Sequence, residues 1–99
     1  MLNINRNISE KRAELALEGR LDTVTAPQLE EELQGVMPAI IELVLDFKNL
    51  EYISSAGLRV LLSAQKIMTK KGEMKLTNVC EEIMEIFEVT GFSDIFTIV

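Results

Sequence analysis

The chain contains no histidine and no tryptophan, and it has one cysteine, Cys80, and one tyrosine, Tyr52. Without histidine, neither a Ser-His-Asp site nor a Cys-His site can be built, and no histidine metal site exists. A single cysteine cannot form an internal disulfide or a zinc cluster, and a free thiol suits a reducing cytosol. These absences remove the commonest nucleophilic and metal-dependent chemistry.

Positive charge is also scarce. The 99 residues include 10 Lys plus Arg against 16 Asp plus Glu, which gives a net charge of −6. Nucleic acids and anionic membrane surfaces are bound through clustered positive charge, so this balance argues against both as partners. The densest apolar run, residues 40–47, is too short to span a bilayer. Residues 1–7 lack the apolar segment of a signal peptide, and we expect a cytoplasmic protein.

Glycine and proline are few and fall singly between periodic segments, as in one compact domain over residues 1–99. Residues 2–4 and residues 13–17 alternate apolar with polar side chains, which predicts two strands. A turn at residues 9–11 lies between them, so we expect a hairpin that ends at Gly19.

Three segments have helical patterns. A capping box at residues 25–28 predicts the start of a first helix. Residues 55–70 predict a second helix. Another capping box, at residues 78–81, predicts a third helix that ends at Gly91.

The remaining apolar segments predict further strands. Residues 41–45 form a nearly continuous apolar run, which is typical of a strand buried on both faces. We expect a loop at residues 46–54 and two more strands at residues 74–76 and 95–99. The order β-β-α-β-α-β-α-β predicts an α/β fold, with a small mixed β-sheet of four to five strands packed with about three main helices.

The start of the second helix is the most informative segment. Ser54 or Ser55 is the expected N-cap, because a serine hydroxyl accepts from the free backbone N–H groups of the first turn. Gly57 is a poor helix former, so its presence suggests a close approach to the backbone. A serine before a helix is often only a cap, but this exposed and fixed position also suits a regulatory phosphoserine.

The second helix also has a wide apolar surface. At 100° per residue, its apolar side chains cover an arc of about 220° around the helix axis. A helix that packs on one sheet needs an apolar arc of only about 100°. Neighbouring helices would cover some of the excess, and the rest is a candidate partner surface. This arc would permit weak self-association, so we expect a monomer or weak dimer.

The motif DFKNLEYISSAGLR at residues 46–59 resembles the signature of STAS-domain anti-sigma factor antagonists, the bacterial anti-anti-sigma factors. GRLDTVTAPQL at residues 19–29 resembles that family's segment before and into its first helix. TGFSDIF at residues 90–96 resembles its C-terminal segment. The three pieces span nearly the whole chain in the family's order.

The resemblance implies an interaction module and no enzyme. A family member binds an anti-sigma factor that is also a serine kinase, and this releases a sigma factor. The kinase phosphorylates a serine at the start of the second helix, and a serine phosphatase removes the phosphate. The matching acceptor is Ser55, with Ser54 as the alternative. The partner-binding residues implied by the match are Asp22, Ser54, Ser55, Ala56, Gly57 and Arg59.

The resemblance implies no cofactor and no metal in this chain. ATP would be bound by the partner kinase, since the sequence has no glycine-rich phosphate loop of the required spacing.

Other interpretations stay open from the residues alone. The STAS resemblance also allows a second role, because STAS domains occur as subunits of stress-signalling and lipid-transport complexes, in which Ser55 would be a plain cap. An enzyme with Ser55 as nucleophile would need a lysine base, for which no motif exists. A small-molecule pocket near Asp22, Asp46 and Ser55 is a further alternative. Asp22 and Asp46 are also residues of the type that forms caps and turns.

Overall fold

The structure, a computed structural model, describes all 99 residues. Five strands and three α-helices alternate after an N-terminal hairpin, with short 3₁₀ turns at Met37–Ala39 and Phe92–Asp94. The strands are β1 (Leu2–Ser9), β2 (Arg12–Leu21), β3 (Glu42–Ile53), β4 (Glu73–Thr77) and β5 (Thr97–Ile98). The helices are α1 (Ala26–Val36), α2 (Ser55–Thr69) and α3 (Glu81–Thr90).

The strands form one mixed sheet in the order β1-β2-β3-β4-β5. β1 and β2 pair antiparallel, and every later neighbour pair is parallel. Parallel neighbours need a crossover, and a helix supplies it at each step. The predicted α/β fold, its element order and its N-terminal hairpin are therefore confirmed, with five strands.

The loop predicted at residues 46–54 is wrong, because β3 continues to Ile53. Its partner β2 also continues past Gly19 to Leu21, and the two strands stay paired to the last residue of each. Two register shifts in this stretch leave pairs of consecutive β3 residues exposed. The strict alternation of apolar and polar residues that identifies a strand is therefore missing from the sequence here. Gly19 lies inside β2 with φ +106°, where a Cβ would clash with the carbonyl oxygen of Met1.

The core lies between one face of the sheet and the helices. Alternate residues of β2 and β3, among them Leu15, Leu17 and Leu45, are fully buried. A fully buried side chain of this kind contributes about 1.5–3 kcal/mol relative to an exposed one. α3 and the C-terminal segment close the far end through aromatic contacts, with the Phe87 and Phe96 ring centroids 5.4 Å apart.

The capping box predicted at residues 25–28 is not formed. Thr25 is the N-cap of α1 by position, but its side chain makes no cap hydrogen bond. The side chain of Gln28 instead donates from Nε2 to the carbonyl oxygen of Leu2 at 2.9 Å. This bond ties the first turn of α1 to β1.

The second predicted capping box is also wrong. The N-cap of α3 is Cys80, and it makes no side-chain cap bond. Asn78 lies outside the helix in the left-handed region, with φ +56°. The predicted end of this helix is correct, since Gly91 is its C-cap with φ +82°.

Candidate functional site

The carboxyl ends of β2 and β3 bring together two connections that are distant in sequence. β2 leads into α1 through residues 22–25, and β3 leads into α2 through Ser54. The backbone N–H of Ser54 donates to the carbonyl oxygen of Leu21 at 2.9 Å. Asp22 is therefore placed next to the start of α2, at the edge of an α/β sheet where loops commonly form binding sites.

Asp22 organises the connection into α1. Its Oδ1 accepts from the backbone N–H groups of Val24 at 3.0 Å and Thr25 at 3.1 Å. Its own backbone N–H donates to Thr25 Oγ1 at 2.9 Å, and that hydroxyl donates to the carbonyl oxygen of Arg20 at 2.8 Å. The hydroxyl of Thr25 is therefore used in this turn, which explains why it does not cap α1.

The charge of Asp22 is stabilised by these contacts. The hydrogen bond from the backbone N–H of Thr25 is the main cause that holds the pKa of Asp22 below its ordinary value of 3.8. Arg20 Nε lies 3.7 Å from Asp22 Oδ2 and acts in the same direction. Asp22 is therefore an ionised carboxylate at neutral pH, held rigidly by its own turn.

Arg20 and Tyr52 form a part of the site that the sequence analysis did not single out. The two residues are register partners in β2 and β3, and the guanidinium carbon of Arg20 lies 4.2 Å from the centroid of the Tyr52 ring. Tyr52 remains 39% exposed. The sequence does not indicate this contact. It predicts a loop at residues 46–54, whereas the contact arises from the pairing of β2 with β3 in this segment.

Ser54 and Ser55 have different roles. Ser54 is the N-cap of α2, with extended backbone, and its Oγ accepts from the backbone N–H of Gly57 at 3.5 Å. Ser54 is half-buried, whereas Ser55 is exposed as the first residue of α2. The cap that the sequence left open between the two serines is thus Ser54, and Ser55 lies exposed at the positive end of the helix.

Gly57 is buried, and its close neighbours belong to the chain itself. A Cβ at this position would lie 2.7 Å from Leu21 Cγ and 3.0 Å from Ile53 Cγ1. The close approach suggested by the sequence is therefore made by the ends of β2 and β3. Gly57 allows α2 to rest directly on these two side chains, and its burial leaves it little surface for a partner.

A groove of about 320 Å³ runs between α1 and α2 beside Ser55. Ala56 and Arg59 form part of one wall, and Glu30 of α1 forms part of the other. Arg59 is exposed and lies four residues after Ser55, so both occupy the same side of the helix. The remaining lining residues are Thr23, Ala26, Pro27, Val60 and Ser63.

The apolar arc of α2 is mostly covered by the fold. Leu58, Leu61 and Met68 are buried, and Val60 is 8% exposed. Ile67 remains 46% exposed near the C-terminal half of the helix. Neighbouring elements therefore account for most of the arc.

Asp46 is engaged away from the serines. Its Oδ1 accepts from the backbone N–H of Lys48 and from Nδ2 of Asn78, both at 2.9 Å. The parallel pairing of β3 with β4 ends at Asp46. Asp46 thus holds β3 at its first register shift with β2 and also holds the loop before α3, and the carboxylate that accompanies the serines is Asp22.

The structure contains no group of three or more histidine, cysteine, aspartate or glutamate side chains arranged to hold a metal ion. None of its helices has the length and apolar character needed to cross a membrane.

Comparison with protein families gives a match over almost the whole chain. The family model for the STAS domain matches residues 3–99. The chain belongs to the STAS domain family. This STAS domain is 31% identical over 100 residues to the anti-sigma-B factor antagonist of Bacillus subtilis, a match that covers 98% of this chain and 92% of the relative. It is 42% identical over 84 residues to BtrV of Bordetella bronchiseptica, a candidate anti-sigma factor antagonist, covering 83% and 72% of the two chains.

Solved structures with low sequence identity share the fold. An anti-sigma factor antagonist from Mycobacterium paratuberculosis superposes on this STAS domain with a TM-score of 0.89, 21% identity, and coverage of 99% of this chain and 85% of the other. SpoIIAA of Bacillus in its phosphorylated form gives a TM-score of 0.75 at 16% identity, covering 100% and 91% of the two chains. These comparisons confirm the predicted family and its fold.

Proposed function

We propose that this STAS domain is an anti-sigma factor antagonist whose binding to its anti-sigma factor is switched off by phosphorylation of Ser55. The observation that carries the proposal is the division of roles between the two serines. Ser54 caps the helix, while Ser55 is exposed in the next position with its hydroxyl outside the cap. The names of the relatives, anti-sigma factor antagonists, support the same function.

Geometry favours Ser55 over Ser54 as the acceptor. A kinase needs the hydroxyl oxygen free to attack the γ-phosphate, and the Oγ of Ser54 already accepts from Gly57 N–H. A phosphate on Ser54 would also require the half-buried cap to rearrange. Ser55 can accept a phosphate without losing any hydrogen bond that the structure contains.

The partner would bind a surface that we call the docking surface, formed by Asp22, Ser54, Ser55, Ala56 and Arg59. Gly57 is excluded from it because the residue is buried. Asp22 supplies a fixed negative charge and Arg59 an exposed positive charge on either side of the serines. Charged groups placed in this way favour one orientation of the partner.

Phosphorylation would act locally. A phosphoserine adds about −1.5 to −2 charges and three acceptor oxygens. At the N-terminus of α2, the helix dipole and free N–H groups favour an anion, so the fold would be retained. The cost falls on the complex, because the phosphate must be desolvated within the interface and would meet any acidic groups of the partner.

The partners that follow from this proposal are an anti-sigma factor with serine kinase activity and a serine phosphatase that restores the unmodified form. The kinase would supply the ATP site and transfer the γ-phosphate, and this chain would act as a non-enzymatic regulator in the cytoplasm. Its fold is shared with SpoIIAA, whose structure has been solved in a phosphorylated form.

The proposal is tested by calorimetric titration of the anti-sigma factor kinase from the same genome with this chain. Ser55→Asp should weaken binding by at least about tenfold, as expected when a charge is buried in an interface. Ser55→Ala should bind as wild type does, and Ser9→Asp is the matched control, because Ser9 is an exposed serine at the end of β1.

Equal binding by wild type and Ser55→Asp would contradict the switch. That result would favour the same fold acting as a phosphorylation-independent subunit of another complex, with Ser55 serving only as a helix residue. Loss of binding in both Ser55→Asp and Ser9→Asp would indicate a general effect of added negative charge.

A further inference from the structure

The outer edge of β1 is a long strand edge with nothing paired to it. β1 has eight residues, lies at the end of the sheet and pairs with β2 without a register shift. Natural proteins usually protect such an edge with a proline, a bulge, a lysine or a covering segment. β1 contains no proline, no lysine and no acidic residue, and Arg6 is its only charged side chain.

The backbone groups that this edge offers can be identified from its bonds to β2. The carbonyl oxygen of Met1 accepts from the backbone N–H of Arg20 at 3.0 Å, so Met1 faces β2. Antiparallel strands alternate, and the even-numbered residues of β1 therefore direct their N–H and C=O groups outward. The bond from Gln28 to the carbonyl of Leu2 agrees, since it reaches that oxygen from the outer side.

We propose that the edge of β1 is a self-association surface, at which two copies of this chain pair antiparallel about a two-fold axis through Asn5. In this register Ile4 lies opposite Arg6 of the second copy, and each pair exchanges two backbone hydrogen bonds. Asn5 faces its own symmetry mate as a non-hydrogen-bonded pair. The two five-stranded sheets would become one continuous sheet.

Side-chain chemistry selects this register. Asn3, Asn5 and Asn7 lie on the open face of the sheet, and pairing about Asn5 sets Asn3 opposite Asn7 of the second copy. Each amide carries donors and acceptors, so three facing amide pairs can satisfy one another. A shift that centres the axis on Arg6 would place two like charges directly opposite, which is unfavourable.

The other possible shift is also less favourable. Centring the axis on Ile4 would pair Leu2 with Arg6, but the carbonyl of Leu2 already accepts from Gln28. It would also leave Asn7 without a facing amide. The register centred on Asn5 also places Leu2 opposite Ile8 of the second copy, but its two central Ile4–Arg6 pairs use only free backbone groups, whereas the register centred on Ile4 has one such pair. The register centred on Asn5 therefore joins more free backbone groups, avoids like charges and pairs all three asparagines.

The resulting dimer should be weak and concentration-dependent. Stable protein interfaces bury about 1,200–2,000 Å², and a single strand edge contributes less than this. No residue of β1 belongs to the docking surface. Self-association would thus leave a free docking surface on each copy, and this inference stands independently of the proposed function.

Cysteine cross-linking tests the register directly. In a Cys80→Ser background, Asn5→Cys should form a disulfide-linked dimer under mild oxidation, because a non-hydrogen-bonded pair has Cα atoms about 4.5 Å apart. Ala16→Cys is the matched control, since Ala16 is the β2 neighbour of Asn5 on the same face but lies one strand inward. Asn3→Cys mixed with Asn7→Cys should also cross-link, and more than either variant alone.

Sedimentation equilibrium tests the backbone bonds. Arg6→Pro removes an outward N–H without affecting the bonds to β2, and the symmetric dimer loses two hydrogen bonds, so association should weaken about tenfold or more. Arg6→Ala is the control, because it removes the same ion pair with Glu32 and keeps the N–H. This control should associate within about twofold of wild type.

Three results would overturn the inference. One is a wild-type chain that stays monomeric at about 1 mM. Another is equal cross-linking of Asn5→Cys and Ala16→Cys. The third is a dimer that is insensitive to Arg6→Pro but abolished by Ile67→Glu, which would place the contact on the exposed part of α2.

Discussion

The backbone N–H of Ser54 donates to the carbonyl oxygen of Leu21 at 2.9 Å, and this bond joins the ends of two parallel strands just before their helices begin. It holds the helix cap of α2 against the connection that contains Asp22. A change at either connection therefore acts on a preformed surface. Substitutions of residues that build this surface and of the residue that would switch it should therefore have different effects.

Ser54→Ala should lower the free energy of unfolding by about 1 kcal/mol, because it removes the N-cap of α2. Ser55→Ala should change it by less than about 0.5 kcal/mol, since an exposed residue outside the cap makes no such contact. Urea denaturation of the two variants checks this. A larger loss of stability in Ser55→Ala than in Ser54→Ala would contradict the assignment of Ser54 as the N-cap of α2.

Gly57→Ala should destabilise the domain. The added methyl group meets Leu21 and Ile53, and overpacking of this kind costs about 1–3 kcal/mol, more than the gain of about 1 kcal/mol from alanine's helix propensity. Gly35→Ala in α1 is the matched control, because a Cβ there meets nothing within 4 Å. Thermal unfolding should show a lower Tm for Gly57→Ala and a raised or unchanged Tm for Gly35→Ala.

Phosphorylation of Ser55 should leave the fold intact and stabilise it slightly. An anion at a helix N-terminus contributes about 0.3–1 kcal/mol at low ionic strength, and Arg59 one turn later is placed to pair with it. The Tm of the phosphorylated chain should therefore be equal to or above that of the unmodified chain, with a difference that shrinks in high salt. A marked fall in Tm would show that the switch acts by unfolding.

The carboxyl group of Asp22 should titrate below its ordinary value of 3.8 in a carbon-detected NMR experiment. A pKa that is lower in the folded state stabilises the fold fully above 3.8 and loses this effect as the pH falls through the folded-state pKa. Thr25→Val, which removes the hydroxyl from this turn, should move the Asp22 midpoint upward. A midpoint above 3.8 in the wild type would contradict the hydrogen bonding described for the turn.

The sequence predicts the fold well wherever the periodicity of the apolar residues matches the element that the structure forms there. The hairpin, the helix–strand alternation and the start of α2 follow from patterns that one buried face imposes. The end of β3 could not be predicted from the sequence for two reasons. Its two register shifts interrupt the alternation of buried and exposed residues, so the segment resembles a polar loop. Its pairing also depends on the extension of β2 past Gly19, which the sequence did not predict either.

The candidate site shows the same limit. Both predicted capping boxes failed because their polar side chains have other partners: Thr25 bonds within the Asp22 turn, Gln28 bonds to Leu2, and Asn78 bonds to Asp46. The contact between Arg20 and Tyr52 exists only through strand register. A local motif shows which bonds a side chain is able to make, but the tertiary structure determines which of them form.

The most direct test of the central claim is mass-spectrometric mapping of phosphate after incubation with lysate of the source organism and ATP. Wild type, Ser54→Ala and Ser55→Ala would be compared in parallel, with an active kinase control. We expect phosphate on Ser55 in the wild type, its retention in Ser54→Ala and its loss in Ser55→Ala. Phosphate confined to Ser54, or no phosphate on any variant while the control kinase is active, would contradict the assignment of Ser55 as the switch.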